Sequence, residues 1–373
     1  MKMRLIRQIG LYAGVLALVS FTDCLADTPA ATQGSAAGES CSGPARICGL
    51  DGPEDMVAVD GGTEVIASRL GGKGLNIIDT RTRAVSTIDP ASLPEAPDPR
   101  YPCPDLKASG TFISHGLSLK PQADGHDRLL VVRHGGREAI EIFQMSHPEG
   151  FRSLAWIGCV PLPKGFAGNA VTGGHDGGFY VTSMTDVGDA PDSSKLAKLY
   201  AGHPSGSVLA WTPGAGFRSF PIGMMSGPNG IELSADERWL YVNGWASHEI
   251  VRFDLAHPDA PAKHLRVRFM PDNLRWAGDG SLIAAGVRST PKYVYECAGT
   301  HADGSPCVTR WTAASIDPAS MTLKSELSRD DRPGFGDVSV ALPVGGALWL
   351  GAFDGDDIDV ETPGSLLAPR HTM

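Results

Sequence analysis

Short apolar segments repeat along the chain and are separated by turn residues. Each has five to seven residues, is rich in aliphatic and aromatic side chains, and is bounded by Gly, Asp, Pro or Ser, as strands joined by tight turns should be. No long segment has the period of an amphipathic helix. The pattern therefore predicts an all-β chain, with strands at 129–133, 139–145, 178–184, 207–212, 239–243, 249–255, 281–287 and 347–353.

These strands group into a repeating unit, which is clearest at residues 229–255. There a strand (229–233), a turn (234–238) and two further strands follow one another. Six such units, of about four strands each, predict a six-bladed β-propeller in which each blade packs between its neighbours. A two-sheet sandwich is the rival architecture. The units begin at Glu54, His115, Asn169, Asn229, Asp272 and Asp337.

The N-terminal residues have the features of a secretion signal. Three basic residues in the first seven positions precede an apolar run (9–21) and the small residues Cys24 and Ala26. We expect residues 1–26 to be a cleaved signal peptide, 27–43 a flexible segment, and 44–373 a single propeller domain. The apolar run is too short for a membrane span. The sequence thus predicts a periplasmic or secreted protein without stable membrane insertion.

Six cysteines follow the predicted cleavage site, and an even number in a secreted chain favours disulfides. Cys297 and Cys307 flank a turn-rich segment and are the most favourable pair. The other four could pair as Cys41–Cys48 and Cys103–Cys159.

Acidic and amide residues recur at the start of the first strand in successive units. In a propeller this strand lines the central channel, so its first residues converge on the axis from different blades. Two carboxylates and three amide oxygens are hard ligands with a charge of −2, and they suit one calcium ion better than zinc, copper or iron. Taken singly, an Asn-Gly or Asp-Asn pair is a common turn. The expected calcium ligands are Glu54, Asn169, Asn229, Asp272 and Asn273.

Two histidines complete the predicted site. His115 begins the first strand of the second unit, and His134 ends the strand that follows. We expect His115 to act as a general base on water and His134 to orient it. A purely structural role is the alternative for His134.

Other catalytic devices are absent from the sequence, which has no Gly-x-Ser-x-Gly, no phosphate-binding P-loop and no His-Glu-x-x-His. Metal-assisted attack by water is the reaction type that remains. The net charge is −10, without a basic cluster, so nucleic acid is not an expected partner.

The ordered set of motifs resembles the paraoxonase (arylesterase) family, within the wider gluconolactonase-like propellers. The resemblance runs from about Pro53 to Phe353 and implies a small lactone or aryl ester as substrate, calcium at the five predicted ligands, and a His115–His134 dyad. Sugar-acid lactone hydrolysis and a non-catalytic calcium-stabilised binding protein are the alternatives. The motifs are Glu54-Asp55, His115-Gly116, His134 after its Val-Val strand, Asn169, Asn229-Gly230-Ile231 and Asp272-Asn273.

The chain departs from that family in two places. The family has a second, structural calcium, which is bound by an Asp directly after the first Asn ligand; this chain has Ala170 at that position. We therefore expect one calcium ion. The family also joins its ends with a cysteine near the C-terminus, whereas none follows Cys307 here, so closure of the ring is expected to rest on strand pairing.

Overall fold

The computed structural model of the chain describes residues 45–59, 61–103, 105, 110–122, 124–146, 153–185, 193–298, 309–330, 335–362, 364 and 366. The predicted signal peptide (1–26) and flexible segment (27–43) lie outside these residues. The described strands form six antiparallel sheets of four strands each.

The first three sheets follow one another along the chain, and in each the strands pair in sequence order. Blade one contains β2 (Met56–Val59), β3 (Glu64–Ala67), β4 (Leu75–Asp79) and β5 (Val85–Ile88). Blade two contains β6 (Ile113–Pro121), β7 (His126–His134), β8 (Ala139–Ser146) and β9 (Ala155–Pro161). Blade three contains β10 (Val171–Gly173), β11 (Phe179–Ser183), β12 (Ser207–Thr212) and β13 (Gly216–Phe220).

The next two sheets repeat this arrangement, and the last recruits the first strand of the chain. Blade four contains β14 (Pro228–Leu233), β15 (Trp239–Gly244), β16 (Glu249–Asp254) and β17 (Lys263–Arg266). Blade five contains β18 (Met270–Trp276), β19 (Leu282–Arg288), β20 (Arg310–Asp317) and β21 (Thr322–Asp330). Blade six contains β22 (Val338–Val344), β23 (Ala347–Ala352), β24 (Asp357–Glu361) and β1 (Arg46–Cys48).

The first strands of the blades form a closed ring. Each contacts the first strands of the blades before and after it, and β22 of the last blade contacts β2 of the first. Apolar side chains pack between adjacent sheets; Leu75 and Ile77 of blade one, for example, share a cluster with Leu117 and Val131 of blade two. This arrangement confirms the predicted six-bladed β-propeller and excludes the two-sheet sandwich.

Pairing between the N-terminal and C-terminal strands closes the ring. β1 pairs antiparallel with β24 through Ile47 opposite Ile358 and the two neighbouring pairs. The Arg46 guanidinium also donates to the Asp357 carboxylate at 2.6 Å. Strand pairing thus joins the ends, as expected.

The structure bears on part of the predicted disulfide pattern. Cys103 and Cys159 are bonded, which confirms that pair. Cys48 and Cys297 are also disulfide-bonded, but their predicted partners, Cys41 and Cys307, lie outside the described residues.

Two short helices, α1 (Ser193–Tyr200) and α2 (Pro291–Ala298), were not predicted. Each has eight residues, which is too few for a periodic pattern to stand out. They contact each other, and the rings of Tyr200 and Tyr295 lie 5.7 Å apart. A 3-10 turn spans Pro90–Ser92. Within the part of the chain that the structure describes, no helix is long and apolar enough to cross a membrane.

Candidate metal and catalytic site

The innermost strands of four blades are irregular near their starts. Their pairing registers shift between Ser114 and Leu117, Pro228 and Ile231, Pro271 and Leu274, and Val338 and Val340. Bulges of this kind change the direction of side chains and are frequent beside active sites. Four predicted site residues, His115, Asn229, Asp272 and Asn273, lie inside these shifts.

The Asn229-Gly230 pair is therefore part of a strand bulge in β14, and not a turn. Its glycine allows two backbones to approach, since a Cβ atom at Gly230 would lie 2.2 Å from the carbonyl oxygen of Asp272. Gly116 serves the same purpose between blades two and three, where a Cβ atom would lie 2.4 Å from the carbonyl oxygen of Asn169. These glycines allow predicted site residues of neighbouring blades to lie close together.

Hydrogen bonds link the blades at the level of the predicted site. Gly116 N of blade two donates to Asn169 O of blade three (3.1 Å), and Thr182 Oγ1, on the second strand of blade three, donates to Asn229 O of blade four (2.8 Å). Glu54 of blade one accepts from two other blades. Asn273 Nδ2 of blade five donates to its Oε1 (2.7 Å), and Ser339 Oγ of blade six donates to its carbonyl oxygen (2.6 Å).

Four of the five predicted metal ligands present a buried oxygen that accepts no hydrogen bond from any residue the structure describes. All five residues are at most 8 % exposed. A buried polar atom without a partner costs about 1–3 kcal/mol, so four at the inner strands of blades one, three, four and five indicate a place for a ligand. The atoms are Glu54 Oε2, Asn169 Oδ1, Asn229 Oδ1 and Asp272 Oδ1.

The two carboxylates of this set strongly disfavour negative charge. Burial raises the pKa of Glu54 well above its ordinary value, and the nearby charges of Asp55 and Asp272 raise it further. Burial also raises the pKa of Asp272, against the hydrogen bonds that Asn229 and Trp245 make to it. A cation at the site would reverse this preference, because it stabilises the ionised form of both groups.

The donor set fits calcium in its chemistry. Within the described ranges, no three or more His, Cys, Asp or Glu side chains lie together as metal ligands. The candidate set instead combines two carboxylates with three amides. Such oxygens are typical calcium ligands, whereas zinc, copper and iron favour imidazole or thiolate. The residues thus fit a calcium ion, and their role as ligands stays a prediction.

The two predicted catalytic histidines are in direct contact. His115 Nδ1 and His134 Nε2 lie 2.9 Å apart, as a hydrogen bond requires. The other ring nitrogen of His115, Nε2, lies 3.6 Å from Glu54 Oε2 and therefore faces the predicted metal site. Burial, together with the neighbouring His134, holds the pKa of His115 well below its ordinary value. His115 is therefore neutral at neutral pH, as a general base must be.

A third residue, Glu138, extends the contact between the two histidines and was not predicted. Glu138 Oε2 lies 2.7 Å from His134 Nδ1. Two of the three residues between them, Gly135 and Gly136, have positive φ values of 76° and 84°. The sequence does contain a signal for Glu138. A hairpin loop follows the strand that ends at His134, and the carboxylate lies four residues after that histidine.

A buried guanidinium lies beside the site and was also missed. Arg275 forms an ion pair with Asp55 and donates to the carbonyl oxygens of Met56 (2.7 Å) and Leu117 (3.2 Å). Asp55 in turn accepts from Leu117 N at 2.7 Å. The Asp55 carboxylate, next to Glu54 in the sequence, is therefore paired with a cation from the chain itself.

Apolar side chains surround the other flank of the site. Met184 Sδ lies 3.7 Å from the amide nitrogen of Asn229, and Trp245 hydrogen-bonds to Asp272. The ring centroids of Trp245 and Tyr295 are 5.9 Å apart. Burial and the charges of Tyr200 and Asp272 raise the pKa of Tyr295. Helices α1 and α2 add Leu199 and Val294 to the same cluster.

A family profile described as SMP-30/Gluconolactonase/LRE-like region matches residues 122–313 of the chain. This span covers just over half of the 373 residues and includes His134, Asn169, Asn229, Asp272 and Asn273. No curated protein matches the chain in sequence.

Three solved structures illustrate the similarity in shape. A gluconolactonase from Xanthomonas campestris is 16% identical, with 84% of this chain and 89% of that chain covered and a TM-score of 0.48. Virginiamycin B lyase from Staphylococcus aureus is 13% identical (84% and 97% covered, TM-score 0.44). A nidogen/laminin complex is 11% identical (74% and 80% covered, TM-score 0.44). At such low identity these structures say nothing about the activity of this chain.

Proposed function

We propose that this chain, which belongs to the SMP-30/gluconolactonase/LRE-like family, is a secreted calcium-dependent hydrolase of lactones and aryl esters. The observation that carries the proposal is the set of four buried oxygens without hydrogen-bond partners, from Glu54, Asn169, Asn229 and Asp272, beside a neutral histidine. Family membership supports lactone hydrolysis. Calcium dependence and aryl ester hydrolysis rest on the site itself.

Glu54, Asn169, Asn229, Asp272 and Asn273 would hold the ion. A calcium ion bound there would polarise the carbonyl group of the substrate and stabilise the oxyanion that develops, an effect worth several kcal/mol. Arg275 supports a single ion, because its guanidinium is paired with the Asp55 carboxylate, which directly follows the predicted ligand Glu54.

The two histidines carry out the remaining steps, which are proton transfer and orientation of the base. His115 Nε2 faces the ligand Glu54, so it can accept a proton from a water molecule as the water oxygen attacks the carbonyl carbon. When the ring or ester C–O bond breaks, the same nitrogen returns the proton to the leaving oxygen. His134 holds the His115 ring through the 2.9 Å contact.

The apolar flank favours one substrate class over another. Met184, Trp245 and Tyr295 form an apolar cluster next to the ligands Asn229 and Asp272. An aliphatic or aromatic ester gains from burying its apolar atoms there, whereas a sugar lactone would leave several hydroxyl groups without partners. Sugar-acid lactone hydrolysis is nevertheless the second candidate, because gluconolactonase is named in the description of the matching family.

The bonded pair Cys103–Cys159 supports the periplasmic or extracellular location, since stable disulfides belong to oxidising compartments.

A hydrolysis panel tests the proposal. Aliphatic lactones, acyl-homoserine lactones, aldonolactones and phenyl acetate are offered to the enzyme before and after removal of calcium with a chelator, and again after calcium is restored. We expect turnover of apolar lactones or phenyl acetate that disappears with the chelator and returns with calcium. Turnover of aldonolactones alone selects the second candidate. Activity that survives thorough calcium removal rules out the metal mechanism, and no turnover in any state excludes hydrolysis of these substrates.

A further inference from the structure

We propose that Glu138 is a positioning residue that fixes the ring protons of His134 and His115, and so directs the bare nitrogen of His115 toward the metal ligands. This inference rests on the proposed hydrolytic function for its catalytic consequence, but the arrangement of protons can be tested without it.

The direction of the hydrogen bonds follows from the acceptor at the end of the chain. An ionised carboxylate accepts hydrogen bonds and donates none. At 2.7 Å from Glu138 Oε2, the Nδ1 atom of His134 must therefore carry a proton. A neutral imidazole has one proton, so His134 Nε2 is then an acceptor.

The same reasoning continues to the next ring. His134 Nε2 lies 2.9 Å from His115 Nδ1, so His115 must carry its proton on Nδ1 and donate it to His134. His115 Nε2 is left with a free lone pair, on the side that faces Glu54. Without Glu138 nothing in this contact would fix that direction, because either histidine could act as the donor.

The arrangement also accommodates the proton that is taken from water. When a water O–H bond breaks and His115 Nε2–H forms, His115 Nδ1–H can pass its proton to His134 Nε2. The positive charge then lies on His134, against the carboxylate of Glu138. When the leaving oxygen accepts a proton from His115 Nε2, the His134 proton returns and both rings are neutral again.

Local structure explains how the carboxylate reaches the ring. His134 ends β7 and Ala139 begins β8, so Glu138 is the last residue of the hairpin loop. The strands on either side are held in register by the pairing of Arg133 with Ala139. The Glu138 side chain is 40% exposed and that of His134 is 14% exposed, so replacement of Glu138 leaves no buried cavity.

Nitrogen NMR of ¹⁵N-histidine-labelled protein, with the His134 signals assigned from a His134→Asn variant, measures the ring protons directly. We expect the Nδ1–H form of His134 in the wild type and in Glu138→Gln, whose amide oxygen can still accept the bond. Glu138→Ala should lose this preference. An Nε2–H form of His134 in the wild type, or an unchanged form in Glu138→Ala, overturns the proposal, whether or not a substrate is known.

Kinetics supply the second measurement, with whichever ester or lactone is hydrolysed. Glu138→Ala should lower kcat roughly 10- to 100-fold and leave KM and calcium affinity unchanged; Glu138→Gln should lose less, since only the charge is removed. Asp254→Asn is the matched control, because Asp254, the last residue of the third strand of blade four, contacts His257 Nδ1 at 3.2 Å far from the predicted site. Equal kcat values in Glu138→Ala, the control and the wild type would exclude the positioning role.

Discussion

The side-chain amide of Asn273 donates to Glu54 Oε1 at 2.7 Å, although 219 positions separate the two residues. The same nitrogen also contacts the carbonyl oxygen of Glu54 at 3.2 Å. Its protons are thus directed at blade one, which leaves the amide oxygen of Asn273 and the second carboxylate oxygen of Glu54 for a cation. One hydrogen bond therefore orients two predicted ligands at once.

Two substitutions of Asn273 should distinguish the role of its amide oxygen from the role of its N–H donor. Asn273→Ala removes both, so we expect calcium affinity to fall roughly 10- to 100-fold and hydrolysis to be lost in parallel. Asn273→Asp restores an oxygen but adds a third carboxylate, and should bind calcium while lowering the melting temperature of the calcium-free protein. Calorimetric titration and thermal unfolding give these quantities. Wild-type calcium affinity in Asn273→Ala would remove this residue from the site.

Calcium binding should release protons. Glu54 and Asp272 have raised pKa values in the metal-free site, so each favours the folded state most at pH values below the ordinary carboxyl pKa of about 4. That contribution is lost as the pH rises through the raised folded-state pKa. Calcium should therefore bind more tightly, and stabilise the fold more, at pH 8 than at pH 6. Titrations in two buffers of different ionisation enthalpy count the released protons.

The control for proton release is a pair of isosteric variants. Glu54→Gln and Asp272→Asn remove the ionisable groups, so each should flatten the pH dependence of the metal-free melting temperature. An unchanged slope in both variants would mean that other groups are responsible.

His115→Gln should separate chemistry from metal binding. The amide cannot accept a proton from water, so kcat should fall roughly 10²- to 10⁴-fold, while calcium affinity stays at the wild-type value. His126→Gln is a suitable control, because His126 lies at the opposite end of β7 and contacts Ser146 at 3.0 Å. Undiminished activity of His115→Gln on every substrate would exclude His115 as the base.

Gly230→Ala should damage both the fold and the site. The new methyl group would lie 2.2 Å from the Asp272 carbonyl oxygen, which forces blades four and five apart. We expect a loss of about 1–3 kcal/mol in the free energy of unfolding or more, together with weaker calcium binding. Gly278→Ala is the matched control, since nothing lies within 4 Å of a Cβ atom there. Urea unfolding that shows equal stability for the two variants would contradict this account.

The strands were predictable because each blade repeats the same local pattern. The segment predicted at 207–212 coincides with β12 (Ser207–Thr212), and most of the others differ from the observed strands by one or two residues. The contact between His115 and His134 was predictable for the same reason, since strand register places both at one end of blade two. Because the blades repeat, a local sequence pattern is enough to predict where these two side chains lie in the fold.

Contacts between distant blades could not be predicted in this way. Arg275 and Asp55 are 220 positions apart, and neither has a local pattern that indicates an ion pair. The bulges in the inner strands are likewise invisible in sequence, because they depend on the close approach of Gly116 and Gly230 to neighbouring backbones. The apolar flank was missed because Met184, Trp245 and Tyr295 follow strands of three different blades.

The pairing of β1 with β24 has a consequence for the order in which the protein can mature. Residues 46–48 are made before all the other described strands, yet their partners, Asp357–Asp359, are made after blades one to five. Throughout synthesis the ring is an open arc, and Glu54 has no Asn273 beside it until blade five has emerged. The five predicted calcium ligands belong to blades one, three, four and five, so the complete set exists only after blade five has been made.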